Sequence, residues 1–380
     1  MTLFFELIQV VCGNREGLSR VPTAAEWMSL FQMSQKQALV GVCFYSIQCL
    51  PKEQLAYLPI PLKMEWLGCS VKIQQQNELM DRRAREVTAL FEEGGFKTCV
   101  LKGQGMARYY ELRDKGVEHG EEAMGLMRQS GDIDLWVAPA ENAGRDCRER
   151  VIVFMKSKGW KMGRTVVHHT DVEIFTDAKV EVHYFPSYTF SPLRWRKYRK
   201  WFKAQEKELL QQKDNILGFC YPSTEFNLVY CLLHIFRHVF HEGIGLRQLM
   251  DYYMVLIAAG RGGTKDCQQQ AMRTLAWLGL SRFTAAVMYV EQVVLGLSGG
   301  NMLCKPDKEA GRYLLDEIMR SGNFGWYDMR LQEVHSGGNV RLYLHHVGRL
   351  MTMIEYYPSE VLWAPFWKVG HWLWRKMKGY

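Results

Sequence analysis

The residues best placed to do chemistry lie in the stretch Gly131-Asp132-Ile133-Asp134-Leu135-Trp136-Val137. On a strand the side chains alternate, so Asp132 and Asp134 project from one face while Ile133, Leu135 and Val137 share the other. Two carboxylates held a few Å apart repel each other unless a cation lies between them. Hard oxygen donors in that arrangement suit Mg²⁺, or Mn²⁺ in its place. A solvated acidic strand face would carry the same two aspartates, so the pair gains weight only from its surroundings.

The surroundings supply a third carboxylate. Asp171 to Phe175 and Lys179 to Tyr184 read as a hairpin joined by Thr176-Asp177-Ala178. On its second strand Val180, Val182 and Tyr184 share one face, and Lys179, Glu181 and His183 the other. Glu181 can meet the two aspartates across a sheet and complete a site for one ion, with a second shared with substrate phosphates. Glu173, on the first strand, competes for that place; the cleaner alternation around Glu181 favours it. His183, on the same face as Glu181, is suited to orient a ligand or touch substrate.

Phe96 to Leu101 reads as a strand, and it runs through Lys102-Gly103-Gln104-Gly105 into a short helix containing Met106, Tyr109 and Leu112. A glycine turn of this kind lets backbone approach a phosphate and aims helix N–H groups at it, and Lys102 adds a positive charge. An ordinary strand-to-helix turn needs glycine as well. His234 and His238 lie one helical turn apart without a further ligand at zinc spacing. Arg247 and Asp251, four apart, pair with each other on this reading, or else Arg247 meets a triphosphate.

Most of the remaining chain is helical in pattern. Thr23 caps a helix expected to run to Cys49, ahead of Pro51. A second spans roughly 63–93, with Met80, Ala84, Val87 and Phe91 as its apolar stripe and Gly94-Gly95 as its stop. Residues 113–130, rich in glycine and charge, read as a loop with Arg128 near its end. Pro139 and Asn142 introduce a helix to about Lys158. Leu193 to Trp201 is basic and aromatic, and reads as a surface segment with its stems packed down in preference to an amphipathic helix. Helices follow at 222–242, after Gly245, and at roughly 264–278, 281–296, 307–320 and 337–356. The tail from Trp363, rich in tryptophan and basic residues, reads as a docked helix in preference to a segment lying on a membrane surface.

The chain has 380 residues, enough for two or three domains. Its net charge of +8 fits anionic partners such as nucleotides; it is compatible with a nucleic acid without calling for one. Ten scattered cysteines, none in Cys-x-x-Cys spacing, signal neither zinc nor a redox motif and fit a reducing cytoplasm. The apolar start is interrupted by Glu6 and lacks a basic lead, so it is a poor signal peptide, and no apolar run is long enough for a transmembrane segment.

Taken together, Leu101-Lys102-Gly103, Arg128, Gly131-Asp132-Ile133-Asp134-Leu135 and Val180-Glu181-Val182-His183 resemble a family of uncharacterised bacterial nucleotidyltransferases of the DNA polymerase beta-type superfamily. His234, His238, Gly245-Leu246-Arg247 and Asp251 resemble its helical part. Lys102-Gly103-Gln104 replaces the superfamily's usual glycine-serine pair. The resemblance implies transfer of a nucleoside monophosphate from a nucleoside triphosphate, such as ATP, to an acceptor the sequence does not name. Asp132, Asp134 and Glu181 would be the catalytic carboxylates and the metal ligands. Lys102, Gly103, Gln104, Arg128, His183 and Arg247 would meet the nucleotide. The expected fold is α+β, a small mixed β-sheet core at 96–190 between a helical region at 1–95 and a helical domain at 191–380. A non-catalytic nucleotide- or metal-binding regulatory module and a metal-dependent phosphohydrolase are the alternatives. The sequence does not fix an oligomeric state.

Overall fold

A computed structural model describes residues 2–114, 124–140, 147–210, 213–214, 216–262, 265–328 and 338–379. The first half contains α1 (Thr2–Val11), α2 (Ala24–Lys36), α3 (Val40–Cys49), α4 (Ile60–Glu93), β1 (Phe96–Val100), α5 (Gln104–Asp114), β2 (Ile133–Pro139) and α6 (Cys147–Ser157). Then come β3 (Lys161–Thr165), β4 (His169–Glu173), β5 (Val180–His183), α7 (Pro192–Leu209) and α8 (Thr224–His241). The last stretch holds α9 (Leu246–Gly262), α10 (Lys265–Trp277), α11 (Ser281–Val290), α12 (Lys308–Ser321), α13 (Gly338–Met351) and α14 (Pro358–Lys378). This is the expected α+β arrangement, mostly helical with one small mixed sheet. Among the described residues no helix is long and apolar enough to cross a membrane. Asn142 and part of the 113–130 loop lie outside the described residues.

The chain divides into two interleaved compact units. One comprises Met1–Gln76, Tyr109–Gln129 and Asn227–Gly348, and its described elements are helical; the other comprises Asn77–Arg108, Ser130–Phe226 and Arg349–Tyr380 and holds the sheet.

The sheet has the order β1-β2-β5-β4-β3. Only β2 and β5 run parallel; the other pairs are antiparallel. Met80, Ala84, Val87 and Phe91 of α4, the stripe expected from sequence, pack against Ile133, Leu135 and Val137 of β2, Val180 and Val182 of β5, and Val151 and Met155 of α6. Each buried side chain of this size is worth about 1.5–3 kcal/mol, so the sheet is pinned on this face. On its other face Trp136 stacks on Phe226, with ring centroids 6.1 Å apart, and lies edge-on to Phe202 of α7. The apolar lid covers one end of that second face; the charged residues occupy the rest.

Four local features differ from the expectation. The helix expected from Thr23 to Cys49 is two. Thr23 does open α2, trading hydrogen bonds with Glu26 in a reciprocal cap. But Ala38 takes a φ of 55° and the Leu39 amide bonds back to the Ser34 carbonyl at 2.8 Å, a left-handed helix end. The break frees buried Gln37 to accept the Leu246 amide at 2.9 Å, capping α9. Second, β3 has no alternating pattern: Lys161-Met162-Gly163-Arg164-Thr165 is a mostly exposed edge with a register shift, as edge strands often are. Third, β4 begins at His169, two residues before the expected start, and ends at Glu173. The helix expected at 281–296 ends as α11 at Val290 and closes in a π-turn over Glu291–Leu295.

Candidate active site

β2 and β5 run side by side with Asp134 opposite Glu181 and Trp136 opposite His183. Their hydrophobic members face α4 and α6, so the same alternation sends Asp134, Glu181 and His183 to the opposite face. His183 lies between the two acids. Its Nε2 is 2.9 Å from Asp134 Oδ1 and 3.2 Å from Glu181 Oε2. Lys102, just beyond β1, brings its Nζ to 2.6 Å from Asp134 Oδ1. β4 extends the cluster: in the ladder Asp171 stands opposite Glu181 and His169 opposite His183. His169 Nε2 is 3.1 Å from Asp171, and its Nδ1 is 3.6 Å from Glu181.

The electrostatics follow from these distances. Burial pushes the Asp134 carboxyl up, but Lys102 and the bond from His183 outweigh it and hold it well below the usual carboxylate range. Glu181 feels the same burial, yet its bond from His183 brings it down to about 2. Burial alone would lower the His183 imidazole; the two carboxylates raise it instead. Asp132 stands apart. It precedes β2, and burial, then the negative charges of Asp134 and Glu181, push it up to about 6.

Among the described residues, three groups bring metal-ligating atoms within 4.8 Å of one another: Asp134, Glu181 and His183; His169, Asp171 and Glu181; and His168, His169 and His183. Carboxylate oxygens with imidazole nitrogens fit a divalent cation, Mn²⁺ as readily as Mg²⁺. Asp132 belongs to none of these groups. Glu173, the competing third carboxylate, is exposed and pairs with Lys161 at 2.9 Å, so it is Glu181 that meets Asp134.

The glycine turn is built as a tight strand-to-helix connection. Gly103 has a φ of 59°, a conformation glycine adopts without steric cost. The Leu101 amide bonds the Asp134 carbonyl at 2.9 Å, which ties the turn to the start of β2. At Gly105 a Cβ would fall 2.6 Å from the Val100 carbonyl. The Gln104 side chain is buried and donates to the Asn77 carbonyl at 3.3 Å, so only its backbone faces the turn.

A family model described as an uncharacterised nucleotidyltransferase matches residues 23–296. The chain belongs to this nucleotidyltransferase family. No curated protein and no solved structure matches it.

In this nucleotidyltransferase the two expected arginines lie in the other compact unit. Arg128 is buried and grips Asp251 with two nitrogens, at 2.6 and 2.7 Å, while the Tyr110 hydroxyl donates to the same carboxylate at 2.8 Å. Asp251 is therefore taken by Arg128 and not by Arg247, as the spacing had implied. Arg247 donates to the Gln129 carbonyl at 2.9 Å and lies over the Phe324 ring. His238 is held between Arg237, at 2.6 Å, and Glu242, at 3.2 Å, with the His234 ring 4.3 Å away. These contacts account for that pair as a hydrogen-bonded helix face.

Sequence reasoning missed His168, His169 and Asp171. The signal was present as His169-Thr170-Asp171, polar residues at period two, but the strand was started two residues late.

Proposed function

We propose that the protein transfers a nucleoside monophosphate from a nucleoside triphosphate to an acceptor hydroxyl or phosphate. One observation carries this reading: in a nucleotidyltransferase, Asp134 and Glu181 stand side by side on parallel strands, on the face opposite the core, with Lys102 against Asp134. Asp132, Asp134 and Glu181 are the residues that would hold a divalent cation, Mg²⁺ or Mn²⁺. Such an ion neutralises charge on the triphosphate and activates the acceptor oxygen. His183 holds the two carboxylates in place, as an outer-shell partner does for a metal ligand. Lys102 is the cation that would answer a triphosphate, with backbone N–H groups of Gly103 and Gln104 at the start of α5. Arg128 and Arg247, each engaged within the protein, would support the helical unit in which they lie, and the buried Gln104 side chain the turn after β1. In the reaction the acceptor oxygen bonds to the α-phosphorus, the bond from that phosphorus to the oxygen bridging the β-phosphate breaks, pyrophosphate leaves, and the acceptor's proton passes to water.

The test uses α-³²P-labelled ATP and the other three triphosphates with Mg²⁺ or Mn²⁺, together with a cell extract as the acceptor source. Label should enter a covalent product, and Asp134→Asn or excess chelator should abolish it. Label found only in free monophosphate would mean a phosphohydrolase. Binding of triphosphate without turnover would mean a regulatory nucleotide-binding module.

A further inference from the structure

Helix α14 carries its apolar surface on the outside. One face is docked within the sheet-bearing unit: Glu360, Val361 and Ala364 are buried, and Trp367 stacks on Tyr188 at 4.7 Å and lies 5.2 Å from Phe190. Glu360 fixes the start of the helix, accepting from the Thr189 hydroxyl at 2.6 Å and from Arg194 at 2.8 Å. At 100° per residue the opposite side is Leu362, Phe366, Val369, Leu373 and Met377, spaced four, three, four and four. All five are exposed, Phe366 at 71% and Met377 at 79%, and Trp363 and Trp372, also exposed, flank them. A docked surface helix normally turns its charged side to solvent. Here the solvent side is an unbroken apolar stripe, which marks an interaction surface.

Charge decides what it meets. The only acid in α14 is Glu360, which is buried and paired; the basic residues are Lys368, Arg375, Lys376 and Lys378. Arg194, whose guanidinium holds Glu360, opens α7, whose exposed Arg196, Lys197, Arg199, Lys200, Lys203 and Lys207 add to the positive charge of the same unit. An apolar stripe, flanking tryptophans and lysines without exposed acids are the features of a helix lying in the interface of an anionic bilayer. A second copy of the chain would bring the same positive helix, with no exposed carboxylate on it to answer the charge. We propose that α14 docks the protein peripherally on an anionic lipid surface through Leu362, Phe366, Val369, Leu373 and Met377, with Trp363 and Trp372 at headgroup level and Lys376 at the phosphates.

The test is co-sedimentation of the full chain with vesicles of phosphatidylcholine alone or mixed with phosphatidylglycerol, read with tryptophan fluorescence. Wild type should bind the anionic vesicles, with a blue-shifted emission, and largely ignore the neutral ones. Each basic residue near such a surface contributes roughly fivefold, so Lys376→Gln should weaken binding about fivefold. Phe366→Glu/Leu373→Glu should abolish it; circular dichroism and melting temperature establish that both variants fold. Absence of binding to anionic vesicles, equal binding to neutral ones, or retention by the Phe366→Glu/Leu373→Glu variant would overturn the proposal. So would a wild-type dimer that this variant dissociates, which would assign the stripe to a second copy.

Discussion

Asp132 and Asp134 are two positions apart, and their carboxyls are displaced in opposite directions. Burial and the neighbouring carboxylates dominate at Asp132, whereas at Asp134 Lys102 and His183 outweigh burial. Asp134 is the shared partner of Lys102 and His183. Asp134→Asn should therefore abolish transfer and also cost about 3–5 kcal/mol, the usual penalty for stranding the partners of a buried ion pair. Asp132→Asn should abolish transfer while raising the melting temperature in chelator at pH 7. The pH dependence checks the sign. Asp132 rises from 3.8 to about 6 on folding, so the folded state holds that proton more tightly. Its contribution to stability is full below pH 4, is lost as pH climbs through 6, and is flat above. The gap between wild type and Asp132→Asn should open over that window, by about 3 kcal/mol. A gap independent of pH, followed calorimetrically, would refute this. Glu181 moves the other way, its contribution vanishing as pH falls from 4.5 towards 2. The aspartates, Glu181 and His183 were legible because period-two alternation separates a polar set from an apolar one. The bond of His183 to both acids was not, since it depends on the register of two distant strands.

At the scale of elements, the turn from β1 to α5 contains two glycines with different reasons to be glycine. Gly103 needs its backbone conformation but has space: a Cβ there lies 3.5 Å from the Asp132 carbonyl. Gly103→Ala should cost about 1–2 kcal/mol of left-handed strain and leave the turn in place. At Gly105 the obstacle is the Val100 carbonyl, backbone of β1, so Gly105→Ala must separate strand from helix. It should lower the melting temperature more and weaken nucleotide affinity, because Lys102 sits on the displaced turn. Equal effects of the two changes in a thermal melt would sink this account. The same contrast bears on how much can be read from sequence. The α4 stripe and the β2 and β5 alternation were readable because packing on one face writes a period into the chain. β3 was not, because an exposed edge strand packs too little to enforce one. The break at Ala38 was hidden for another reason: Gln37 serves α9, more than two hundred residues on.

For the whole molecule, each of the two compact units is assembled from three separated stretches. The short stretch Tyr109–Gln129 joins the helical unit through Asp251, which accepts from Tyr110 near one end and Arg128 near the other. Asp251→Asn leaves the Arg128 guanidinium buried without its countercharge and should cost about 3–5 kcal/mol. Asp251→Leu with Arg128→Met, which removes both charges, should recover much of that loss. A double variant no more stable than Asp251→Asn, by urea titration, would show that the pair is not the cause.

The interleaving also has a consequence for biosynthesis. A ribosome delivers the chain from its amino end, and proteins made of consecutive domains can finish one before the next emerges. Here the sheet-bearing unit is incomplete until the stretch after Arg349 leaves the exit tunnel, because Glu360 is the buried acceptor for Thr189, Phe190 and Arg194. The helical unit waits in turn for Asn227–Gly348. Neither is complete while the nascent chain is short, and apolar side chains such as Tyr188 and Phe190 stay uncovered until Trp367 emerges. That makes the nascent protein a natural client for chaperones and sensitive to loss of the stretch after Arg349.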